Sequence, residues 1–429
     1  MATFRNTETT SCCWLKRSAS VAQISSKLMC AGHRSKILYS ISNLVVLPGP
    51  PKPDNTGMCW AWDLPVCKSG DSAACTSVFI SGEGRRCGSV HPGKTGGLSF
   101  VYGRLVGVVV IWLALNLSLI STGHAELLRY EYSADAMGGV FSVALYSNSR
   151  ANAGVAVEAA FAELRRLDHM LSNYRPDSEW SEVNRYAAER TVKVSQEFFD
   201  LLSACLEYSR RSEGAFDISV GPLMKAWGYY GGSGSLINDA AVQETLAHVG
   251  YSHILLNSAD RSVRFDRAGM EIDPGGIGKG YAIDRMIEVL RRNGIERALV
   301  SAAGSSIYAL GSPPGQNGWQ IRIRDPKKAG NSADRIVLKD QSLSTSGNSE
   351  KFFRVNGQVY GHILDPRTGY PARGVLLVSV VAPRALDSEA WTKAFFVNDR
   401  FWSAQHIPAG FRVFLCEEAV DQSWCGWLP

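Results

Sequence analysis

The sequence predicts an α+β fold in which mixed sheets pack against helices, and three observations lead to this class. Apolar or alternating runs, such as 139–147 and 319–324, are typical of strands. Elsewhere apolar residues recur at helical spacing, as within 153–172. The two kinds of segment do not alternate strictly along the chain, so mixed packing is favoured over a doubly wound sheet.

Each predicted element has its own pattern. The helices carry one apolar face each and are expected at 153–172, 196–210, 222–227 as a short helix or turn, 239–249, from a glycine-rich loop to just before Gly294, and at 388–397. The strands are apolar or alternating and are expected at 139–147, in a hairpin of 253–257 and 261–265, and at 298–301, 319–324, 375–381 and 412–415.

The first 125 residues differ from the rest. They hold 12 Lys/Arg and 5 Asp/Glu, and residues 1–100 lack sustained periodicity. We expect residues 1–100 to be disordered or to reflect a misplaced start of translation. An apolar run follows Arg104 and ends in small residues, so 101–125 is predicted to be a signal peptide, with a single membrane span as the alternative. The folded domain is expected at 126–429.

The remaining residues hold 33 Lys/Arg against 35 Asp/Glu, and this balance does not indicate a nucleic-acid partner. Three cysteines lie in this part, Cys205, Cys416 and Cys425. A disulfide between Cys416 and Cys425 is possible in an oxidising compartment, and three unpaired thiols are at least as compatible with the sequence.

The most informative segment is the glycine-rich stretch 273–284, which contains Lys279 and leads into an amphipathic helix. Glycines let a large ligand approach the main chain, and a helix start offers N–H groups to phosphate. The spacing matches neither a dinucleotide-binding G-x-G-x-x-G nor a nucleotide P-loop. A tight turn would explain the glycines, but a buried turn has no need of Lys279, so a diphosphate site is favoured.

Four further segments carry groups that suit a nucleotide, although each also has an ordinary structural explanation. In 361–369 a His and an Asp three residues apart form either an acid–base pair or a structural His before an Asp-Pro turn. The hydroxyl-rich 343–348, taken alone, favours a solvated turn. For the aromatic 214–217 plain core packing is the more common explanation, and for the polar 172–184 the alternative is a helix C-cap followed by a surface loop.

The order of these segments closely resembles the ApbE family of FAD:protein FMN transferases over about residues 130–415. The matching blocks follow one another as Met137-Gly, Leu171-Ser-Asn-Tyr174, Asp177-Ser-Glu with Asn184, Gly214-Ala-Phe-Asp217, Asp273–Asp284, Leu343-Ser-Thr-Ser-Gly347 and His362–Gly369. Their order is stronger evidence than any single block. The resemblance implies an ApbE-like (T-fold-like) domain that transfers the FMN half of FAD to a Ser or Thr hydroxyl of a target protein, with AMP leaving.

The resemblance also implies roles for single residues. His362 would lie beside the reacting phosphate as general base, and Asp365 would either orient it or only cap a turn. FAD would be contacted by Met137, Tyr174, Ala215, Phe216, Asp217, Asp273, Lys279 and Ile363.

A magnesium ion is implied too, and here the sequence departs from the family pattern. The expected ligands are the main-chain carbonyl of Gly276 and a helical acid followed four residues later by a Thr. Glu389 takes the acid position, but Lys393 takes the Thr position, and an ammonium cannot ligate a cation. Thr392 lies one residue away. Lys393 is therefore expected either to pair with Glu389 or to touch a phosphate directly.

Two other functions use the same site. An FAD pyrophosphatase would release FMN and AMP to water, and a non-catalytic flavin carrier would leave FAD intact. The leading interpretation is an exported, periplasmic transferase, attached to a membrane only through an uncleaved signal segment. Its acceptor would be a separate protein, such as a subunit of an ion-pumping oxidoreductase.

Overall fold

The computed structural model describes residues 126–232, 234–328, 330–348, 352–418 and 423–429. The expectations for residues 1–125 lie outside these ranges. The helices are α1 (Arg150–Met170), α2 (Glu179–Tyr186), α3 (Gln196–Arg211), α4 (Gly221–Ala226), α5 (Asp239–Leu246), α6 (Gly278–Arg292), α7 (Ala385–Val397) and α8 (Arg400–Gln405).

The strands alternate with these helices irregularly along the chain. They are β1 (Leu128–Ala136), β2 (Gly139–Ser147), β3 (Val192–Lys193), β4 (Ile254–Asn257), β5 (Ser262–Phe265), β6 (Ala298–Ala302), β7 (Ser306–Leu310), β8 (Trp319–Arg324), β9 (Ser332–Leu338), β10 (Gln341–Gly347), β11 (Phe352–Val355), β12 (Gln358–Gly361), β13 (Val375–Ala382), β14 (Arg412–Glu417) and β15 (Trp424–Trp427). The predicted α+β class is confirmed.

The largest sheet has eight antiparallel strands in the order β1-β2-β6-β7-β10-β13-β14-β15. Helices α1, α6 and α7 pack on one face of this sheet, and the β8–β9 hairpin covers part of the other. Strand β13 lies between the two layers, so Val378 and Val380 join the helical core while Leu377 and Val381 face the hairpin. This burial on both faces explains why its sequence is a continuous apolar run.

Most predicted elements are present, and one interpretation is wrong. Taken alone, 343–348 favoured a solvated turn, yet these residues belong largely to β10, in the middle of the large sheet. Ser342 and Ser344 are almost completely buried and face hydroxyl groups on α7. The hydroxyls are therefore satisfied by one another rather than by solvent. The polar stretch 172–184, for which a helix C-cap and surface loop was the alternative, contains helix α2.

Two further features of the described residues concern helix length and the cysteines. No helix among residues 126–429, apart from the short undescribed gaps, has both the length and the apolar character needed to cross a bilayer. Cys416 and Cys425 face each other on β14 and β15 and form a disulfide, which realises one of the two alternatives left open by the sequence. Cys205 is a buried free thiol.

Candidate functional site

A cavity of about 410 Å³ opens between the start of α6, the turn before α4 and the segment that follows β12. Ten of the twelve predicted site residues line it: Met137, Tyr174, Ala215, Phe216, Asp217, Asp273, Gly276, Lys279, His362 and Ile363. Asp365 and Glu389 do not line it. A wider depression of about 520 Å³ on the β8–β9 hairpin contains none of the predicted residues.

The glycine-rich loop forms one side of the cavity. Its turn is closed by hydrogen bonds from Gly278 N and Ile277 N to the Pro274 carbonyl, at 2.8 and 3.0 Å. Helix α6 then begins without a capping side chain from Ile277, the residue that precedes it. The first N–H groups of a helix have no intrahelical acceptor, and they carry partial positive charge. Gly278 N bonds the Pro274 carbonyl and Gly280 N bonds the Glu389 carboxylate, so the helix start attracts phosphate oxygens mainly through its dipole and the Lys279 ammonium.

Asp273 anchors this loop from within. Its carboxylate accepts hydrogen bonds from Gly275 N at 2.8 Å, from Tyr230 Oη at 2.6 Å and from Asn173 Nδ2 at 3.1 Å. Burial and the neighbouring Asp273 carboxylate raise the pKa of Tyr230 far above its usual range, so this phenol stays a donor. Asp273 therefore fixes the loop shape and also faces the cavity.

Lys279 lies in the first turn of α6 and reaches across to the large sheet. Its Nζ donates to Ser305 Oγ at 2.8 Å. Ser305 in turn bonds the Ala302 carbonyl at 3.2 Å, at the end of β6. A hydroxyl partner leaves the positive charge of the ammonium uncompensated by that contact, so Lys279 can attract an anionic ligand in the cavity.

Asp217 also lines the cavity, from the turn before α4. Its two oxygens accept from Ser219 N and Tyr251 N, both at 2.7 Å. Burial raises the pKa of its carboxyl to about 6, although these hydrogen bonds oppose the shift. The Phe216 ring packs directly on the glycine-rich loop. If Gly276 carried a β-carbon, that atom would lie only 3.1 Å from Phe216 Cε2.

The segment after β12 brings His362 and Ile363 to the cavity. Tyr229 Oη donates to the Gly361 carbonyl at 2.5 Å, immediately before His362. The Asp365 carboxylate accepts from Arg367 N and Arg367 Nε, each at 2.9 Å, so it closes the turn that follows. These contacts fit the turn-capping alternative, and an orienting role of Asp365 toward His362 stays a prediction.

The predicted metal residues on α7 are arranged differently from an oxygen site. Glu389 Oε2 accepts a hydrogen bond from Gly280 N, and Oε1 lies 3.8 Å from Lys393 Nζ. The Thr392 hydroxyl lies 2.7 Å from the Glu389 carbonyl and 2.8 Å from Ser346 Oγ, facing β10. Among the described residues, no group of three or more His, Cys, Asp or Glu side chains is arranged to hold a metal. Because an ammonium lies beside Glu389 and the Thr392 hydroxyl faces β10, this donor set does not fit a protein-bound magnesium ion.

Asp284, at the other end of the glycine-rich motif, joins α6 to α7. Its carboxylate accepts from Ala385 N at 2.7 Å and Leu386 N at 2.9 Å, so it caps the start of α7. Burial raises the pKa of this carboxyl to about 6. The motif thus lines the cavity with its first half and positions α7 with its second half.

Sequence reasoning missed two residues of the site, Tyr229 and Tyr230. Both precede a glycine-rich loop, and both donate hydroxyl hydrogen bonds to distant blocks of the chain, at Gly361 and Asp273. Adjacent tyrosines beside glycines were the available signal, but their partners lie 132 and 43 residues away. Spacing along the chain cannot reveal such contacts.

Comparison with known proteins identifies the family. The model of the ApbE family matches residues 137–406. An FAD:protein FMN transferase of Klebsiella pneumoniae (strain 342) is 33% identical over 272 residues, which cover 62% of this chain and 82% of that protein. One from Treponema pallidum (strain Nichols) is 32% identical over 291 residues, covering 64% and 80%. The crystal structure of the ApbE protein from Thermotoga maritima aligns with a TM-score of 0.63 at 31% identity, covering 67% of this chain and 94% of that one. This chain belongs to the ApbE family.

Proposed function

We propose that this protein transfers the FMN half of FAD to a Ser or Thr hydroxyl of a target protein and releases AMP. One observation carries the proposal: the cavity joins Lys279, in the first turn of α6, with His362, a residue that can accept a proton. The relatives from Klebsiella pneumoniae and Treponema pallidum carry the name of this activity.

The proposed reaction is a displacement at phosphorus. The acceptor oxygen forms a bond to the phosphorus on the flavin side of FAD. The bond from this phosphorus to the bridging oxygen breaks, and that oxygen leaves with AMP. His362 takes the hydroxyl proton as general base. Such transfers depend mainly on alignment and charge neutralisation, which Lys279 and the first turn of α6 would supply.

The remaining predicted residues would bind the rest of FAD. Met137, Tyr174 and Phe216 offer a thioether and two rings to the flat parts of the molecule, and all three line the cavity. Tyr174 is 77% exposed, which leaves its ring accessible to a ligand. The magnesium ion that the resemblance implies does not fit the residues around Glu389, so no step here uses a metal.

We also propose that the protein works in an exported, periplasmic location on a separate acceptor protein, for which a subunit of an ion-pumping oxidoreductase is the candidate suggested by the resemblance. The disulfide between Cys416 and Cys425 supports this location, because disulfides persist in oxidising compartments. The signal peptide predicted at 101–125 supports it as well.

The test is to incubate the purified protein with FAD and a Ser/Thr acceptor domain and to measure the acceptor by mass spectrometry. We expect an FMN-sized mass increase on the acceptor and one AMP for each adduct. His362→Ala should reduce the initial rate by about a hundredfold or more. His248→Ala is the matched control, since His248 bonds the Ala268 carbonyl and does not line the cavity. Free FMN as the main product with acceptor present would instead indicate a pyrophosphatase.

A further inference from the structure

We propose that the Lys393 ammonium takes the place of a divalent cation beside the diphosphate of FAD, so that this protein binds FAD without a metal at Glu389. The inference rests on the proposed function, because it assumes that the cavity takes FAD. It concerns a residue for which the family pattern predicts a Thr and the sequence has a Lys.

Lys393 is placed so that it can reach a ligand in the cavity. Lys393 lies on α7, on the side that faces the cavity, and its side chain is 22% exposed. The aliphatic part of the Lys393 side chain packs over the glycine-rich loop. Its Cγ would lie 3.9 Å from a β-carbon if Gly276 carried one. Lys393 therefore reaches the cavity at the same loop that leads to Lys279.

Both carboxylate oxygens of Glu389 already have partners. One carboxylate oxygen accepts from Gly280 N, and the other lies 3.8 Å from the Lys393 ammonium. The Glu389 side chain is only 2% exposed. A divalent ion on this carboxylate would stand close to an ammonium in a poorly solvated place, where like charges repel strongly. Glu389 is thus better suited to hold Lys393 than to bind a metal.

Thr392 does not restore the oxygen site. Its hydroxyl is completely buried on the sheet side of α7, where it lies 2.8 Å from Ser346 Oγ and 2.7 Å from the Glu389 carbonyl. A cation on Thr392 would require α7 to rotate away from β10. The helix is fixed by the Asp284 cap at its start, which opposes such a rotation.

The cavity brings positive charges to the place where a diphosphate would lie. A dinucleotide diphosphate carries two negative charges at neutral pH. Lys279 comes from the first turn of α6 and Lys393 from α7, and both line the cavity. Lysine ammonium groups bind phosphate as point charges and need no metal. Lys279 and Lys393 therefore both face the diphosphate, while Glu389 orients Lys393 and offsets part of its charge.

The experiment measures the affinity of the full-length protein for FAD by flavin fluorescence, in EDTA and in saturating Mg²⁺. We expect the wild-type Kd to differ by less than about threefold between the two conditions. Lys393→Met should weaken FAD binding by about tenfold or more in both conditions, because one charge opposite the diphosphate is lost. Lys393→Thr should bind FAD weakly in EDTA and regain affinity with Mg²⁺, because it recreates an acid and a hydroxyl four residues apart.

Controls separate charge from folding. Lys193→Met removes an exposed lysine of β3 that does not line the cavity, and it should bind FAD as the wild type does. Riboflavin, which lacks phosphate, should bind wild type and Lys393→Met equally, which also shows that the variant is folded. Wild-type FAD binding that vanishes in EDTA and returns with Mg²⁺ overturns the lysine proposal and leaves the transfer function standing. Metal-independent FAD binding without any acceptor adduct supports the lysine proposal and overturns the transfer function.

Discussion

Two sides of the cavity are built in different ways. The carboxylate wall consists of residues 273–284 and α7, and its contacts run from main-chain N–H groups to the carboxylates of Asp273, Asp284 and Glu389. The aromatic wall consists of residues 227–230, of which Tyr229 and Tyr230 line the cavity, and of the β11–β12 hairpin, which packs behind Tyr229 through Phe353. There Phe353 and Tyr360 stack with ring centroids 5.1 Å apart, and Trp227 lies 6.0 Å from Tyr360.

The charged groups and the aromatic rings of the cavity therefore come from separate parts of the chain. The carboxylate wall packs against the large sheet and holds Lys279 and Lys393. The aromatic wall belongs to a smaller cluster around Trp227 and reaches the first wall through the hydroxyl of Tyr230. Changes in the first wall should therefore affect both stability and phosphate binding, while changes in the second should mainly affect the fit of the ligand.

The largest expected effect is at Gly280, where α6 and α7 meet. A β-carbon there would collide with the Ala385 carbonyl and lie 2.9 Å from Glu389 Oε2. Gly280→Ala should lower the free energy of unfolding by about 3 kcal/mol, because overpacking against main chain cannot relax easily. Chemical denaturation measures this. Gly154→Ala, in α1 with only the Tyr132 hydroxyl at 3.9 Å, is the control and should be neutral or stabilising. Equal stabilities of the two variants would contradict the rigid carboxylate wall.

A smaller, pH-dependent effect is expected at Asp284. Its pKa is raised to about 6 in the folded protein, above the usual 3.8. Between these two pH values the folded protein holds a proton that the unfolded chain has released, so this contribution to stability falls as pH rises. Asp284→Asn removes the ionisation. The stability of the wild type relative to this variant should therefore decrease by about 2 kcal/mol from pH 4 to pH 7.

Denaturation curves across this pH range measure that difference. Glu296→Gln, at an exposed acid just after α6, is the control for general charge effects. A wild type that gains stability over Asp284→Asn as pH rises would show that the carboxylate cap of α7 is favourable when ionised.

The smallest effect is expected where the aromatic wall touches the carboxylate wall. Tyr230→Phe removes a donor at 2.6 Å from the Asp273 carboxylate. The free energy of unfolding should fall by about 1 kcal/mol with the lost hydrogen bond, and FAD affinity should fall by about fivefold or less because Asp273 holds the glycine-rich loop less firmly. Tyr229→Phe is the paired variant, because its hydroxyl bonds a main-chain carbonyl instead, and it should change affinity less than twofold. Fluorescence titration distinguishes the two, and the reverse order would contradict the assigned roles.

The sequence predicted the carboxylate wall much better than the aromatic wall. Glycines, Lys279 and the flanking acids lie within one short segment, so their spacing is visible along the chain, and the apolar pattern of α6 follows directly. The contacts of Tyr229 and Tyr230 join residues far apart in sequence, and no periodicity encodes them. Strand β10 was misjudged for a related reason: its serines are polar, but they are buried because α7 supplies hydroxyl partners.

The close approach of α6 and α7 at Gly280 has a mechanical consequence. Because the two helices touch through main chain there, with no side chain between them, they have little freedom to slide or separate. The main-chain positions that carry Lys279 and Lys393 are then held at a fixed separation by the backbone contact. A diphosphate that enters the cavity would therefore meet two lysines whose attachment points do not spread apart.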